Sequence, residues 1–90
     1  MSLEYNLEHD EMLITRALVL MQRAVVLSCL LGDTEREAKY MDVLTELEKL
    51  EKKYNINYNV VRLADQELDD EGLSTNEILD RADKVCMVAI

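Results

Sequence analysis

The stretch MLITRALVLMQRAVVLSCLL, residues 12–31, decides the fold, because only five of its twenty residues are not apolar. The chain around it is strongly acidic, with 19 acidic against 10 basic side chains and a formal net charge of −9. A helix of this length is long enough to span a bilayer. Arg16 and Arg23 would then lie in the hydrocarbon, at a cost of about 2.5–3.5 kcal/mol each. We therefore expect a buried protein helix and no membrane insertion.

The composition favours a single all-α domain covering residues 1–90. The chain has no proline, two glycines and no Phe or Trp, whereas Leu, Met, Ala, Glu and Lys, which form helices readily, are abundant. A chain of 90 residues buries only about 60–65% of its unfolded surface, and small domains of this kind are often stabilised by oligomerisation. We therefore expect self-association, most simply as a homodimer.

The polar and small residues of this first helix predict how it is oriented. At 100° per residue, four polar side chains fall on one stripe about 120° wide: Thr15, Arg16, Gln22 and Arg23. The opposite side carries a seam spaced by four, three and four residues: Ala17, Met21, Ala24 and Ser28. Small side chains let another helix approach closely, so we expect this seam to pack in the core or against a second copy.

Turn and capping residues predict where the helices begin and end. Gly32 suits the left-handed position that ends helix 1, and Thr34 with Glu37 matches a capping box for helix 2, over roughly 34–54. The short connection between them predicts an antiparallel hairpin. Ser74 with Glu77 matches a second capping box, which opens helix 4 after a turn at Gly72.

The segment NINYNVV, residues 55–61, is ambiguous. Its alternation of Asn with apolar residues is typical of a short strand, which would make the fold α+β. Val61 breaks the alternation, so we favour an Asn-capped linker into a short helix over 59–70. The preferred fold is a small helical bundle built on a long antiparallel helix 1–helix 2 hairpin with two shorter helices.

No residue pattern predicts a catalytic residue, a cofactor or a metal. His9 is the only histidine, both glycines stand alone, and the loop-like DDEGLSTNEI lacks the final Glu of a calcium-binding EF-hand loop. Cys29 and Cys86 both lie in apolar runs, and the acidic N-terminal sequence does not match a secretory leader. We therefore expect reduced core thiols and a cytoplasmic location. The acidic charge disfavours direct binding of nucleic acid.

Residues 65–83 hold eight acids against Arg81 alone. We expect the end of helix 3, the turn and the start of helix 4 to form one acidic edge that binds a basic protein partner. Its candidate residues are Asp65, Glu67, Asp69, Asp70, Glu71 and Asp83. Several of them have no evident local partner. Replacement of Asp69, Asp70 and Asp83 by Asn is therefore expected either to raise the melting temperature or to leave it unchanged.

The function predicted from these features is a non-enzymatic, acidic protein-binding or regulatory module, inhibitor-like or adaptor-like, that acts as a homo-oligomer. An enzyme is the alternative. Glu48-x-x-Glu51 and Glu67-x-x-Asp70 are similar to the paired acidic motifs with which all-α nucleotide pyrophosphohydrolases hold Mg²⁺. This second hypothesis requires the two pairs of carboxylates to meet in the fold.

Overall fold

A computed structural model describes the backbone of residues 7–89 and the side chains of residues 11–87. Over this range the chain forms four helices and no strand: α1 (Leu7–Leu31), α2 (Thr34–Lys53), α3 (Tyr58–Asp70) and α4 (Thr75–Ala89). The predicted all-α bundle is confirmed, and the strand considered for 55–61 is wrong. Helix α1 is central, because it packs against each of the other three and most extensively against α2. Helix α2 also contacts α4.

The middle of α1 is buried because three helices of the same chain surround it. The core contains Leu18, Val19, Met21 and Ala24 of α1, together with Tyr40 of α2. The other helices add these side chains to the core: Val43, Leu44, Leu47, Ala64, Leu68, Ile78, Leu79, Ala82 and Cys86. Burial of this apolar surface drives the association of the four helices.

Thr15 was placed wrongly on the exposed stripe of α1. It is fully buried, and its hydroxyl donates a hydrogen bond of 2.7 Å to the carbonyl oxygen of Glu11 within the same helix. Ser28 is buried in the same way and donates to the carbonyl oxygen of Ala24 at 2.7 Å. A hydroxyl that is satisfied by its own helix carries little penalty for burial. Arg16 and Gln22 are exposed as predicted.

The last turns of α1 are less covered than the sequence suggests. Val26 and Leu30 are exposed, Leu30 by 77%, and Leu31 is also exposed. Cys29 lies on this open part of the helix, which contradicts its assignment to the core, whereas Cys86 is buried as expected. The polar stripe about 120° wide predicts that the remaining two-thirds of the circumference of helix 1 is covered by protein. This prediction holds for the middle turns and fails at the C-terminal end.

The connection between α1 and α2 follows from two adjacent residues. Gly32 adopts a left-handed backbone with φ of +72°, and Asp33 N–H donates to the carbonyl oxygen of Ser28, as in a Schellman helix end. The cap of α2 was predicted one residue too late. Asp33 is the N-cap, and its carboxylate accepts a hydrogen bond of 3.1 Å from the backbone N–H of Arg36. Aspartate is at least as good an N-cap as threonine, so the helix begins with Thr34 inside it.

The segment 55–61 connects α2 to α3 through two asparagines with separate roles. Asn55 takes the left-handed conformation with φ of +54° and ends α2, while Ile56 N–H donates to the carbonyl oxygen of Glu51. Asn57 caps α3, because its side-chain oxygen accepts from the N–H of Asn59 at 2.7 Å. The alternation that resembles a strand is therefore a helix end followed by a helix start.

The capping box of α4 is confirmed. Ser74 N–H donates to Glu77 Oε1 at 3.0 Å, and Glu77 N–H donates to Ser74 Oγ at 3.2 Å. The hydrogen bonds from Ser74 lower the pKa of Glu77. The turn before this helix is made by Gly72, which has φ of +62°. The box fixes the start of α4 next to the end of α3.

Length and composition alone would allow Glu11–Leu31 to cross a membrane, because the mean hydropathy of its most apolar part is 1.7. The buried central helix of a bundle and a signal sequence can have the same length and hydropathy. Length and hydropathy are therefore weak evidence for a membrane span. In the structure this segment is the core helix of the bundle.

Candidate protein-binding site

The acids of α3 are held by arginines of α1. Arg23 contacts Asp65 Oδ1 at 3.0 Å and Asp69 Oδ1 at 2.9 Å, one through each terminal nitrogen of its guanidinium group. Arg16 Nη2 lies 3.5 Å from Glu67 Oε2. The two arginines that were predicted to face solvent therefore connect α1 to α3. The acids lacked a local partner in the sequence because their partners lie on another helix.

The next two acids have different partners. Glu71, at the end of α3, lies 2.9 Å from Arg81 of α4, so this ion pair closes the turn around Gly72. Asp70 accepts a hydrogen bond of 3.1 Å from Gln66 within α3. Five of the six predicted edge residues thus lie on α3 and the following turn, but not on one surface. Asp65 and Asp69 lie on one flank of the helix beside Arg23, and Glu67 and Glu71 lie on the opposite flank beside Arg16 and Arg81.

Asp83, the sixth predicted edge residue, contacts side chains of α2, whereas the other five, apart from Asp70, contact arginines of α1 and α4. The buried hydroxyl of Tyr40 donates to Asp83 Oδ1 at 2.6 Å, Lys39 Nζ lies 3.0 Å from the same oxygen, and Arg36 lies 3.3 Å from Oδ2. The predicted single acidic edge therefore does not include Asp83. This residue joins α4 to α2.

Charge and burial compete at this junction. Burial raises the pKa of Asp83, but the hydrogen bonds from Tyr40 and Lys39 and the positive charges of Lys39 and Arg36 outweigh it, so the pKa lies below its ordinary value. Burial raises the pKa of Tyr40, and its hydrogen bond to Asp83 raises it further. At neutral pH the contact therefore joins a neutral hydroxyl to a carboxylate, which is a charge-assisted hydrogen bond.

A groove with a volume of about 500 Å³ lies between α1, α3 and α4. We call it the acidic groove after its two carboxylates, Glu67 and Glu71, although with Arg16 and Arg81 its charged lining sums to zero. Its floor is apolar and its rim carries two ion pairs, Arg16–Glu67 and Glu71–Arg81. The floor is formed by Leu13, Ala17, Val19, Leu20, Ala64, Leu68 and Val85. The acids at positions 67 and 71 are separated by one helical turn and stand at the same opening.

The seam of α1 lies mainly inside the bundle. Met21, Ala24 and Ser28 are fully buried, and Ala17 is half-buried where it meets the acidic groove. A second copy of the chain cannot reach fully buried side chains without opening the bundle. Self-association of the folded chain therefore requires a different surface.

The carboxylates of the enzyme hypothesis are on helices that do not meet. Glu48 and Glu51 belong to α2, whereas Glu67 and Asp70 belong to α3, and α2 contacts α1 and α4 instead. Among the described residues, no group of three or more His, Cys, Asp or Glu side chains is placed to hold a metal ion. The side chain of His9 lies outside the described residues. The geometry gives the pyrophosphohydrolase hypothesis no support.

Three arginines that contact the predicted acids were not predicted from the sequence: Arg16 and Arg81 line the groove, and Arg23 lies outside it. One signal was available: two arginines seven residues apart on an otherwise apolar helix need carboxylates nearby if the helix is central. Asp65 and Asp69, four residues apart on a helix face, match such a requirement. The groove floor gives no comparable signal, since its residues come from three helices.

No protein-family model, no curated protein and no solved structure matches this chain. The candidate site therefore rests on its own geometry: an apolar groove between three helices, with carboxylates and guanidinium groups at the rim.

Proposed function

We propose that the protein is a non-enzymatic protein-binding module, inhibitor-like or adaptor-like, which acts as a homo-oligomer and binds a basic partner at the acidic groove. The main support is the combination of an apolar floor with Glu67 and Glu71 at one opening. Binding sites commonly combine a concave apolar surface with a few convergent charged groups. The expected ligand is a protein segment that inserts an apolar side chain and carries Lys or Arg beside it.

The position of the acids supports a role beyond the stability of α3 itself. Glu67, Asp69, Asp70 and Glu71 are at the C-terminal end of α3, and the last turn of this helix contains no basic residue. Negative charge is unfavourable there because it meets the negative end of the helix dipole, with a typical effect of about 0.3–1 kcal/mol per charge. The dipole of α3 therefore does not favour these acids. Glu67, Asp69 and Glu71 have interhelical ion pairs, whereas Asp70 bonds only to Gln66 of its own helix.

The rim carboxylates remain accessible to a partner although each contacts an arginine. The Glu67 side chain is 55% exposed and the Glu71 side chain is 45% exposed. Exposed ion pairs contribute about 0–1 kcal/mol, and a carboxylate has acceptor positions for more than one donor. A partner lysine or arginine is therefore expected to share these carboxylates with Arg16 and Arg81, or to displace the arginines from them.

The charge of the whole chain supports fast association with a basic partner. A net charge of −9 attracts a basic surface at long range and repels acidic ones, including the nucleic-acid backbone. This attraction raises the association rate more than it slows dissociation, and it is screened by salt. Salt-sensitive association is therefore part of the proposal.

Self-association belongs to the proposal because large apolar side chains stay exposed on a small bundle. Leu30, Leu63 and Met87 are exposed by 77%, 63% and 79%. Scattered apolar residues are normal on a surface, but a short chain has little core to offset them. Burial of part of this surface between copies would stabilise the bundle.

The test uses a phage-displayed library of random peptides, selected on the purified protein. We expect the selected peptides to carry Lys or Arg next to a large apolar residue. A synthetic peptide of the selected sequence is then measured by stopped-flow binding at low and high ionic strength. The variant Glu67→Gln/Glu71→Gln is expected to lower its association rate by about tenfold at low salt.

The matched control is Glu35→Gln/Glu48→Gln, which removes two exposed acids from α2, outside the groove. We expect it to retain nearly the native association rate. A third variant, Ala17→Leu, fills part of the groove floor and is expected to speed dissociation. Selected peptides without basic residues, or equal losses in the two double variants, would contradict the proposal. Thermal melts of all variants confirm that each one folds.

A further inference from the structure

Helix α2 carries a second charge pattern, on a face that is not part of the acidic groove. Asp42, Glu46, Lys49 and Lys53 are all exposed. They are spaced by four, three and four residues, so at 100° per residue they fall within about 60° of the helix circumference. We call these four residues the α2 stripe. Its first half is acidic and its second half is basic.

The order of charges in the α2 stripe is self-complementary. If a second α2 is placed alongside in the opposite direction, Asp42 faces Lys53 of the other copy, and Glu46 faces Lys49 of the other copy. Both pairs are symmetric about the same point, between Leu47 and Glu48. One two-fold axis through that point therefore aligns four opposite-charge pairs at once. An interface of this kind, with the same patch on both copies, is typical of homodimers.

A limited apolar surface accompanies the stripe, and of its apolar side chains only Leu50 is substantially accessible. A groove with a volume of about 630 Å³ lies along α2, with Val43, Leu47 and Leu50 in its lining beside the stripe residues. Val43 and Leu47 are largely buried in the bundle, and Leu50 is half-buried. Antiparallel helix pairs commonly combine an apolar contact line with flanking charges that set orientation and partner choice.

This face of α2 is accessible in one chain. Helix α3 packs on α1 and leaves α2 uncovered, while α2 uses its buried side against α1 and α4. Ala38 and Thr45, which border the stripe, are exposed and small, so a second helix can approach closely. Lys49 already contacts Glu46 of its own chain at 3.2 Å, but both side chains are about 70% exposed. Such an exposed pair is weak and exchanges readily for a pair with another copy.

We propose that the α2 stripe and its groove form an antiparallel, two-fold interface with a second copy of this chain. The proposal rests on the self-association included in the proposed function, and it names the surface used. This surface lies on α2, so Leu30, Leu63 and Met87 stay outside it. The acidic groove between α1, α3 and α4 stays open in this arrangement, because no residue of the α2 stripe lines it. A homodimer joined in this way would present two acidic grooves to basic partners.

Charge reversal tests the proposal with sedimentation velocity of the full chain at several concentrations. The variant Asp42→Lys/Glu46→Lys makes the stripe entirely basic, and Lys49→Glu/Lys53→Glu makes it entirely acidic. Each variant alone is expected to dissociate at least about tenfold more readily than the native chain, because attraction becomes repulsion. An equimolar mixture of the two is expected to form heterodimers.

Two controls separate this effect from net charge and from misfolding. The fourfold variant Asp42→Lys/Glu46→Lys/Lys49→Glu/Lys53→Glu reverses the order of the stripe, keeps the net charge of −9 and is expected to dimerise. Glu48→Lys/Lys52→Glu reverses two exposed charges elsewhere on α2 and is also expected to dimerise. Restored association in the mixture and in the fourfold variant cannot result from unfolding.

The outcomes distinguish this interface from the proposed function. If the native chain dimerises and both single-sign variants dimerise equally well, the interface is wrong while self-association stands. If the native chain is monomeric at every concentration, self-association is wrong and this interface with it. Peptide binding at the acidic groove, measured separately as described above, decides the remaining part of the proposed function.

Discussion

Tyr40 and Asp83 connect α2 to α4 through a hydrogen bond of 2.6 Å whose donor is buried. Charge density alone suggests that neutralising an acid of the 65–83 segment leaves stability unchanged or raised. The contacts of Asp83 with Lys39 and Arg36 reverse this expectation. We predict that Asp83→Asn lowers the free energy of unfolding by about 1–2 kcal/mol, since hydrogen bonds to a charged group are lost or weakened. Urea unfolding measures the loss.

The control for this substitution is Asp80→Asn, because Asp80 is an exposed acid three residues earlier in α4. We expect it to change the free energy of unfolding by less than about 0.5 kcal/mol. Equal effects of the two substitutions would show that the Tyr40–Asp83 junction adds nothing to stability.

The same junction predicts how stability depends on pH. The pKa of Asp83 is lowered in the folded chain, so its contribution to stability is fully present above the ordinary Asp value, about 4. It is lost as the pH falls through the lower, folded pKa, where the carboxylate becomes protonated. We therefore expect native stability to fall in acid below about pH 4, and Asp83→Asn to reduce this fall. If the free energy of unfolding of the native protein and of the Asp83→Asn variant fell equally with pH, Asp83 would be excluded as a cause of the fall.

Ala24 tests the packing of α1 at the level of one side chain. It is fully buried, so Ala24→Leu adds three carbons inside the core and is expected to cost about 1–3 kcal/mol through overpacking. Arg16→Ala removes an exposed ion pair of 3.5 Å and is expected to cost well under 1 kcal/mol. Thermal melts compare the two, and similar losses would contradict the orientation of α1.

At the scale of elements, the ends of the helices are the features that the sequence predicts best. Gly32 and Gly72 both adopt the left-handed backbone, and Ser74 with Glu77 forms the predicted box. These motifs are readable because their residues lie within a few positions of one another, so tertiary contacts change them little.

The cap of α2 gives a direct test of one helix end. Asp33 accepts from the N–H of Arg36, whereas Thr34 is already the first helical residue and is exposed. Asp33→Ala is expected to lower the free energy of unfolding by about 1 kcal/mol, and Thr34→Ala to leave it nearly unchanged. Chemical unfolding of both variants checks the assignment. A larger loss from Thr34→Ala would mean that the capping box predicted from the sequence forms after all.

Two features of the elements could not be predicted, for physical reasons. Asn55 and Asn57 are each compatible with a strand pattern, a helix end and a helix cap, and periodicity alone does not separate these roles. The helical projection places Thr15 on the polar, exposed stripe, but its hydroxyl forms a hydrogen bond within α1 and lies in the core. A projection counts residue types and does not record internal hydrogen bonds.

At the scale of the whole molecule, the ion pairs of the site join residues far apart in the chain. Arg16 and Glu67 are separated by 51 positions, and Arg23 and Asp65 by 42. The sequence indicated the acidic composition of the segment, and the fold determined which acids share a surface. Asp83 is not part of the predicted edge, because its position on α4 places its side chain against Tyr40 of α2. The acidic groove follows from the assembly of three helices and has no signature within any one of them.

The fold also changes where self-association is expected. Three helices of the same chain cover the seam of α1, so self-association, as proposed above, requires another surface. The exposed α2 stripe offers a self-complementary surface for this purpose. Self-association is therefore the property that the small size of the bundle and the charge pattern of α2 both predict.

Light scattering after size-exclusion chromatography at micromolar concentration measures this property directly. One chain has a mass of 10.4 kDa, and we expect a species of about twice that mass at low ionic strength. Added salt is expected to shift the population toward the single chain, because the pairs of the α2 stripe are exposed and screened. A mass near 10.4 kDa at every concentration and every ionic strength would contradict self-association.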